Sequence, residues 1–427
     1  MKSGPVFLFI FLLFHPDALS QQERSLDFFL QMAYEHSPIL NEIFNQQKIN
    51  NLKNDLTFAQ YKKPYVEVTG DFLFAPYFLH NKNIVSVTPN PDENAFGYDH
   101  DISNGGLYAL LLNASIPLFK TGTINTINFQ NFVQNQTLQH QIGVEKHDLD
   151  KSVTDQYILT YQIQQLLQNL QTISTSISER KKLVEALVQT AILPQSEFQL
   201  LDIELSIRNN EYLQQRVVLS DALMTLNNLC GILDTSLYEL TLPEIKLNSL
   251  NNSFSFLEKY RLDSLSILSD QEIFNLKYKP QLDAFGNSGI NTASAIKIPH
   301  SIGFSAGVHL SIPLYDGEQR KIVYQQNKLL LDNLKAYKNQ TWIQKQNSLA
   351  YLTKQIELTR LSLAGFNDQL KKQEALLETL KNKVIHGQGS VTDYRLALQD
   401  YLSTNQNIIQ TQSNLWLLIN QYNYVNW

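Results

Sequence analysis

The sequence predicts a mixed α and β protein, mainly α, in which long antiparallel coiled-coil hairpins accompany four β-strands and the whole is an internal two-fold repeat. Three observations predict this. No proline occurs between Pro117 and Pro194 or after Pro313, and such gaps suit unbroken helices, because an interior proline removes a hydrogen bond and clashes with the preceding turn. Ser115-Ile116-Pro117-Leu118-Phe119 recurs as Ser311-Ile312-Pro313-Leu314-Tyr315, an offset of 196 residues. Four stretches of about ten residues alternate apolar and polar side chains, the period of a strand with two unlike faces.

The elements follow in chain order. Lys2, the apolar run Pro5 to Phe14 and Ala18-Leu19-Ser20 have the three regions of a secretory signal peptide over residues 1–20, cut near Gln21. The run is about half the roughly 20 apolar residues a membrane-crossing helix needs. A helical stretch spans Ser25 to Lys62, and strands are expected at about 64–74 and 107–118. The segment between them, Pro76 to Gly106, is rich in Asn, Asp, Pro and aromatic residues and reads as a long loop.

The first proline gap carries a helical rhythm in Val153, Tyr157, Leu159, Thr160, Ile163, Leu166, Leu167 and Leu170, continued by Ile173, Ile177, Leu183 and Leu187. A helix from about Gly122 to Thr190 would be roughly 100 Å long at 1.5 Å per residue. That length requires coiled-coil neighbours. Pro194 suits the first turn of a returning helix that reaches Cys230 before Gly231 and the Pro243 segment stop it. A shorter helical stretch from Phe254 to Lys279 would stack on that helix to match the long arm.

The second copy repeats the plan, with strands at about 280–289 and 303–314, a shorter loop from Gly289 to Ser301, and a final helix from Ser390 to Tyr424. The Ser25 to Lys62 stretch would complete this last helix and bring the chain ends near one another. Lys63-Pro64 with Gly70 matches Lys279-Pro280 with Gly286 at an offset of 216, so the first copy holds the longer loop. Repeat one spans about 21–231 and repeat two about 252–427.

Alternation assigns the strand faces. Glu67, Asp71, Asn113, Asp283, Ser305 and His309 take the polar parity, and Val66, Leu110, Leu282 and Leu310 the apolar one. A soluble half-buried sheet would show the same pattern. Strand lengths near ten residues and the lack of other sheet partners favour a membrane barrel, with the polar set facing a pore and the apolar set facing lipid. Four strands cannot close a barrel when the smallest have about eight, so several copies must share one.

Composition excludes other classes. The net charge of −6 opposes nucleic-acid binding, which needs a clustered cationic excess. Cys230 is the only cysteine, so there is neither a disulfide framework nor a thiolate metal cluster. No Gly-rich phosphate loop, nucleophile elbow or His-Glu-x-x-His occurs, and neither enzymatic activity nor a cofactor is expected. Asp99-His100-Asp101 beside Asp92 and Glu93 reads as a solvated loop in preference to a divalent-ion cage, since its spacing matches no known one.

Signal peptide, duplicated strand pairs and two long hairpins, in this order, resemble the TolC-like outer-membrane efflux proteins over essentially the whole mature chain. The family's hairpin-turn pattern, an aromatic or apolar residue followed by x-x-Gly-x-x-Ser/Thr-x-x-Asp/Glu, appears as Val384, Gly387, Ser390 and Asp393. Its first copy is Val188, Ala191, Pro194 and Glu197, so Ala191-Ile192-Leu193-Pro194 replaces the usual glycine turn. The resemblance implies a homotrimer with a 12-stranded barrel in the outer membrane of a Gram-negative bacterium and a helical tunnel through the periplasm. It implies a passive conduit in efflux or type I secretion, fed with small molecules, metals or proteins by an inner-membrane transporter and a periplasmic adaptor protein. It also places Glu197, Gly387, Ser390 and Asp393 at a periplasmic turn or gate, where acidic residues line a narrowing; a further acidic position of the family is Leu396 here. Helix capping alone would also account for Ser390 and Asp393. Two rival readings are a periplasmic adaptor, which has one hairpin where this chain has two, and a structural coiled-coil envelope protein, which leaves the alternating strands unexplained.

Overall fold

The computed structural model describes residues 24–80, 83–88, 91–98, 105–251 and 255–427. The expected signal peptide and Asp99-His100-Asp101 lie outside the described residues. The chain divides into two compact units, each drawing on both repeats: a sheet unit (39–144 and 253–344) and a hairpin-turn unit (1–38, 145–252 and 345–427).

The N-terminal helical stretch is two helices, α1 (Leu26–His36) and α2 (Pro38–Lys62). Ser25 caps α1 by accepting from the Phe28 N–H. The break is local chemistry: Pro38 forces Ser37 out of helical geometry (ψ 115°) and is itself well placed as a first helical residue.

In the sheet unit, β1 (Tyr65–Phe74), β5 (Gly106–Leu118), β6 (Gln281–Thr292) and β7 (Ile302–Ser311) form one antiparallel sheet in the order β1-β5-β6-β7. β6 runs three residues beyond its expected end, shortening the following loop, which holds a 3-10 helix at Ala295–His300. β7 stops three residues early. Between β1 and β5 the chain is not a plain loop: β2 (Tyr77–His80), β3 (Asn83–Ser86) and β4 (Phe96–Gly97) form a separate small sheet in the order β3-β2-β4, so the four long strands are not the only ones. Tyr77 is fully buried at its centre.

Two helices far above ordinary length follow the two strand pairs, α3 (Thr121–Gln189, 69 residues) and α6 (Gln319–Ile385, 67 residues). Within the sheet unit, α2 and α3 meet through amides: buried Asn50 donates to the Asn131 carbonyl (2.7 Å) and to Asn135 Oδ1 (3.0 Å), while Asn131 donates to Asn54 Oδ1 (2.7 Å). A buried amide layer leaves polar groups unpaired in any shifted register, and thereby specifies one alignment. The equivalent Asn327, 196 residues on, donates to Gln271 Oε1 (3.2 Å) on α5 (Glu258–Asn275).

In the hairpin-turn unit, α3 and α6 return as α4 (Gln195–Leu229) and α7 (Val391–Val425). Pro194 sits one residue before the first turn, as the N-cap of α4. One core cluster joins α1, α3 and α4 through Phe29, Val153, Tyr157, Leu223 and Leu226; a second joins the four hairpin helices through Ile173, Ile177, Val184, Leu201, Val384, Tyr394 and Leu398. The expected rhythm of α3 is largely the buried one, except that Leu159 and Leu183 are exposed and their neighbours Ile158 and Val184 are buried.

The segment 231–251 after α4 lacks regular structure and is held by side-chain amides acting as strand partners. Gln164 accepts from the Leu240 N–H (2.8 Å) and donates to the Leu240 carbonyl (3.1 Å). Asn423 does the same for Asn248 N–H and Lys246 carbonyl, and Asn426 for Asn251 N–H and Ser249 carbonyl. Tyr34 and Tyr424, near the ends of α1 and α7, both donate to the same turn of α3, at Asp150 and Asp148.

Candidate functional sites: the sheet faces and the hairpin turns

Strand register puts the polar residues side by side. Glu67 lies opposite Asn113, Asn113 opposite Asn287, and Asn287 opposite Ser305, one row across all four strands. Asp283 lies opposite His309, and Asp71 opposite Ala109. Directly opposed residues share a face, so all six polar-parity positions stand on one side of the sheet. The row is hydrogen-bonded: Asn287 Nδ2 donates to Asn113 Oδ1 (2.9 Å), and Asn113 Nδ2 to Thr69 Oγ1 (2.7 Å). Asn287 was not singled out from the sequence; its even spacing from Asp283 and Phe285 was the available signal.

The other face carries Val66, Val68, Phe72, Phe74, Leu110, Leu112, Phe304, Val308 and Leu310, all exposed within one copy of the chain. No described helix covers them. Gly289, at φ +151°, allows the strands to approach, since a Cβ there would collide with the Leu110 carbonyl oxygen. The ring of Phe285 covers Gly307 directly opposite it. Strands β1 and β7 have unpaired outer edges, each about as long as the strands they could pair with.

The two hairpin turns have the same backbone despite their different residues. Ala191 (φ +57°) and Gly387 (φ +68°) are both left-handed and occupy equivalent positions. Ile192 N–H bonds to the Leu187 carbonyl and Gln388 N–H to the Lys383 carbonyl, both at 2.9 Å. This six-residue closure is the Schellman arrangement at a helix C-terminus. The atypical first turn therefore changes side chains and leaves the path of the chain alone. The turns also touch: a Cβ on Gly387 would lie 2.9 Å from Ile192 Cγ2.

After the turns the two copies differ. Ser390 caps α7 through the Thr392 N–H (3.1 Å), and Asp393 follows in the first turn of that helix. Pro194 offers no side-chain cap to α4, and Glu197 has one carboxylate oxygen buried without a partner. Sequence reading missed a buried ion group about two to four turns along α4: Glu204 (3% exposed) accepts from Arg208, Arg208 also donates to Glu211 (2.6 Å), and Arg395 of α7 approaches Glu204 at 3.9 Å. The i,i+4 spacing of Glu204 and Arg208 was visible; their burial between helices was not.

Among the described residues, no helix is long and apolar enough to cross a membrane and no group of three or more His, Cys, Asp or Glu side chains could hold a metal ion.

The architecture is similar to solved structures of outer-membrane channels. VceC of Vibrio cholerae is 13% identical and superposes with a TM-score of 0.67 over 94% of this chain and 96% of its own. The CmeC channel of Campylobacter jejuni is 13% identical, with a TM-score of 0.68 over 94% of this chain and 85% of its own. The open state of the MtrE channel of Neisseria gonorrhoeae is 11% identical, with a TM-score of 0.67 over 94% and 88%. No protein-family model and no curated protein matches the sequence. The chain has the fold of these channels.

Proposed function

We propose that this chain, having the fold of the outer-membrane channels, is itself an outer-membrane channel subunit: a homotrimer of a Gram-negative bacterium whose copies share a 12-stranded barrel, with a periplasmic helical extension. The observation that carries the reading is the four-stranded sheet with two free edges, one polar face and one exposed apolar face. Such a sheet in water would leave a large apolar surface uncovered. In lipid it needs closure, because every backbone group in hydrocarbon must be paired, and edge-to-edge joining of several copies supplies that.

In this reading Glu67, Asp71, Asn113, Asp283, Ser305 and His309 line the pore, and Val66, Leu110, Leu282 and Leu310 meet lipid. Phe72, Phe74 and Tyr108 lie together at the loop end of the apolar face, where aromatic residues favour the membrane–water interface. The turns at Glu197, Gly387, Ser390 and Asp393 form the periplasmic end. There Asp393, in the first turn of α7 where Ser390 already supplies the cap, contributes an acidic ring that attracts cations. The channel is a passive conduit without enzymatic chemistry, and its cargo, whether small molecules, metals or proteins, is set by a periplasmic adaptor and an inner-membrane transporter behind it. The identical turn backbones support docking of an adaptor at both hairpins.

Fractionation and planar-bilayer recording test this together. The protein should sediment with the outer membrane, migrate differently after heating, and open conducting pores. Recovery as a soluble, non-conducting periplasmic protein would favour an adaptor or a structural coiled coil.

A further inference from the structure

We propose that the small sheet between β1 and β5 is an inter-subunit clasp, whose apolar surface docks on the segment leading into β7 of a second copy of this chain. The inference rests on the shared-barrel reading and deepens it.

The clasp is a built structure. Tyr77 is fully buried, its ring packs over Gly97 where a Cβ would lie 2.8 Å away, and the Ala75 N–H bonds to the Gly105 carbonyl (3.2 Å), tying the sheet to the top of β1 and β5. Phe78 and Phe96 stack within it at 5.6 Å. Yet Ile84 is 77% exposed, and Val85, Val87 and Tyr98 are exposed with it. The small sheet thus buries one aromatic centre and leaves apolar side chains open on both of its faces, Ile84 on one and Val85 with Phe78 and Phe96 on the other.

Topology names the partner. β1 and β7 are the two free edges, and Phe74 ends β1 at the same end of the sheet where Ile302 begins β7, since Phe74 pairs with Gly106, Tyr108 with Thr292 and Ile290 with Ile302. Joining β1 of one copy to β7 of the next, antiparallel like every other pair, brings the clasp beside the neighbour's Ala295–His300 turn. That turn presents Ile296 at 90% exposure and leads to Ile302 at 72%. The clasp begins at Ala75, past the last β1–β5 pair and so beyond the lipid-facing band, which leaves a neighbouring copy as the apolar surface within reach. Burial there would lock the outer end of the β1–β7 seam.

Two variants, Ile84→Cys and Ile296→Cys, co-expressed with different tags, test the clasp when the purified oligomer is treated with a short bis-maleimide. Native Cys230 is buried and serves unchanged. The expected result is a covalent dimer carrying both tags, absent when either variant is expressed alone, together with weaker resistance of an Ile84→Asp oligomer to dissociation by heat. An oligomer of normal mass with no mixed-tag dimer and unchanged heat resistance overturns the clasp and leaves the channel reading standing. Protection of the thiol introduced by Ile84→Cys from a soluble maleimide only when lipopolysaccharide is added would also overturn it, identifying lipid as the cover. Absence of any oligomer would remove the shared barrel itself.

Discussion

Ala191 and Gly387 show how two residue types can occupy one conformation at unequal cost. A left-handed backbone costs a non-glycine residue roughly 1–2 kcal/mol, whereas glycine loses about 0.4–1 kcal/mol through the greater entropy of its unfolded chain. Ala191→Gly should therefore stabilise the protein by up to about 1 kcal/mol in thermal unfolding. Gly387→Ala should destabilise it by more, because its Cβ would also meet Ile192. Gln164→Leu should be costlier: it strands the Leu240 N–H and carbonyl, at about 1–3 kcal/mol for each buried group, and limited proteolysis should then open the 231–251 segment first. The Gly387 turn was legible as a pattern of four residues, and the Ala191 turn by analogy, but the equality of their backbones was not, because left-handed geometry at a helix end is favoured by glycine and not restricted to it. The Gln164 contact was invisible for another reason. It joins residues far apart in sequence, and no local periodicity announces it.

Titration in the hairpin-turn unit also has a defined sign. Burial pushes the Cys230 thiol from an ordinary 9.0 up to about 12, and burial with Asp148 pushes the Tyr424 hydroxyl from 10.0 up to about 12. Burial likewise raises Tyr157 to about 12 against the opposing bonds to Thr241. Raised values favour the protonated forms in the folded state, so their contribution is complete below about pH 9 and is lost as pH climbs toward about 12. The unfolding midpoint should stay level to about pH 9 and fall above it, and Cys230 should react with thiol reagents only as the protein unfolds. A reactive Cys230 at neutral pH in folded protein would contradict the burial.

At the scale of elements, the sheet faces make opposite predictions for one strand. Charge on a lipid-facing position costs about 2–4 kcal/mol near the bilayer midplane, so Leu110→Arg should abolish assembly into membranes while Asn113→Arg, on the other face, should leave assembly intact and change conductance. Equal tolerance of both would mean the faces are wrongly assigned. Strand parity was readable from alternation alone, because side chains in a strand point to alternate faces. Register was not: the Glu67, Asn113, Asn287, Ser305 row exists only once the strands are paired. The clasp strands were missed because they are two to four residues long, too short for any alternation to stand out from a segment rich in turn formers. The long helices were legible from missing prolines, and the α1–α2 break at Pro38 was overlooked because apolar residues continue on both sides of it.

At the turn element, Asp393→Asn should alter cation selectivity or closed-state conductance with thermal stability nearly unchanged, since Ser390 supplies the cap. A loss of stability with wild-type conductance would make Asp393 a helix-end charge and put the gate elsewhere.

At the scale of the whole molecule, the duplication explains why each unit draws on both repeats: two copies of strand pair, long helix and return helix contribute matching parts to each. This plan was legible from the 196-residue offset and from the order of motifs, even though sequence identity to the channels of the same fold is only 11–13%. What one chain leaves open is closure of the sheet, whose two free edges are paired by other copies in the proposed channel. The mass of the detergent-extracted outer-membrane species, measured by light scattering with the detergent contribution subtracted, tests that claim most directly. The account predicts three copies of the mature chain in one particle with full strand content; a folded monomer with the same strand content would contradict it.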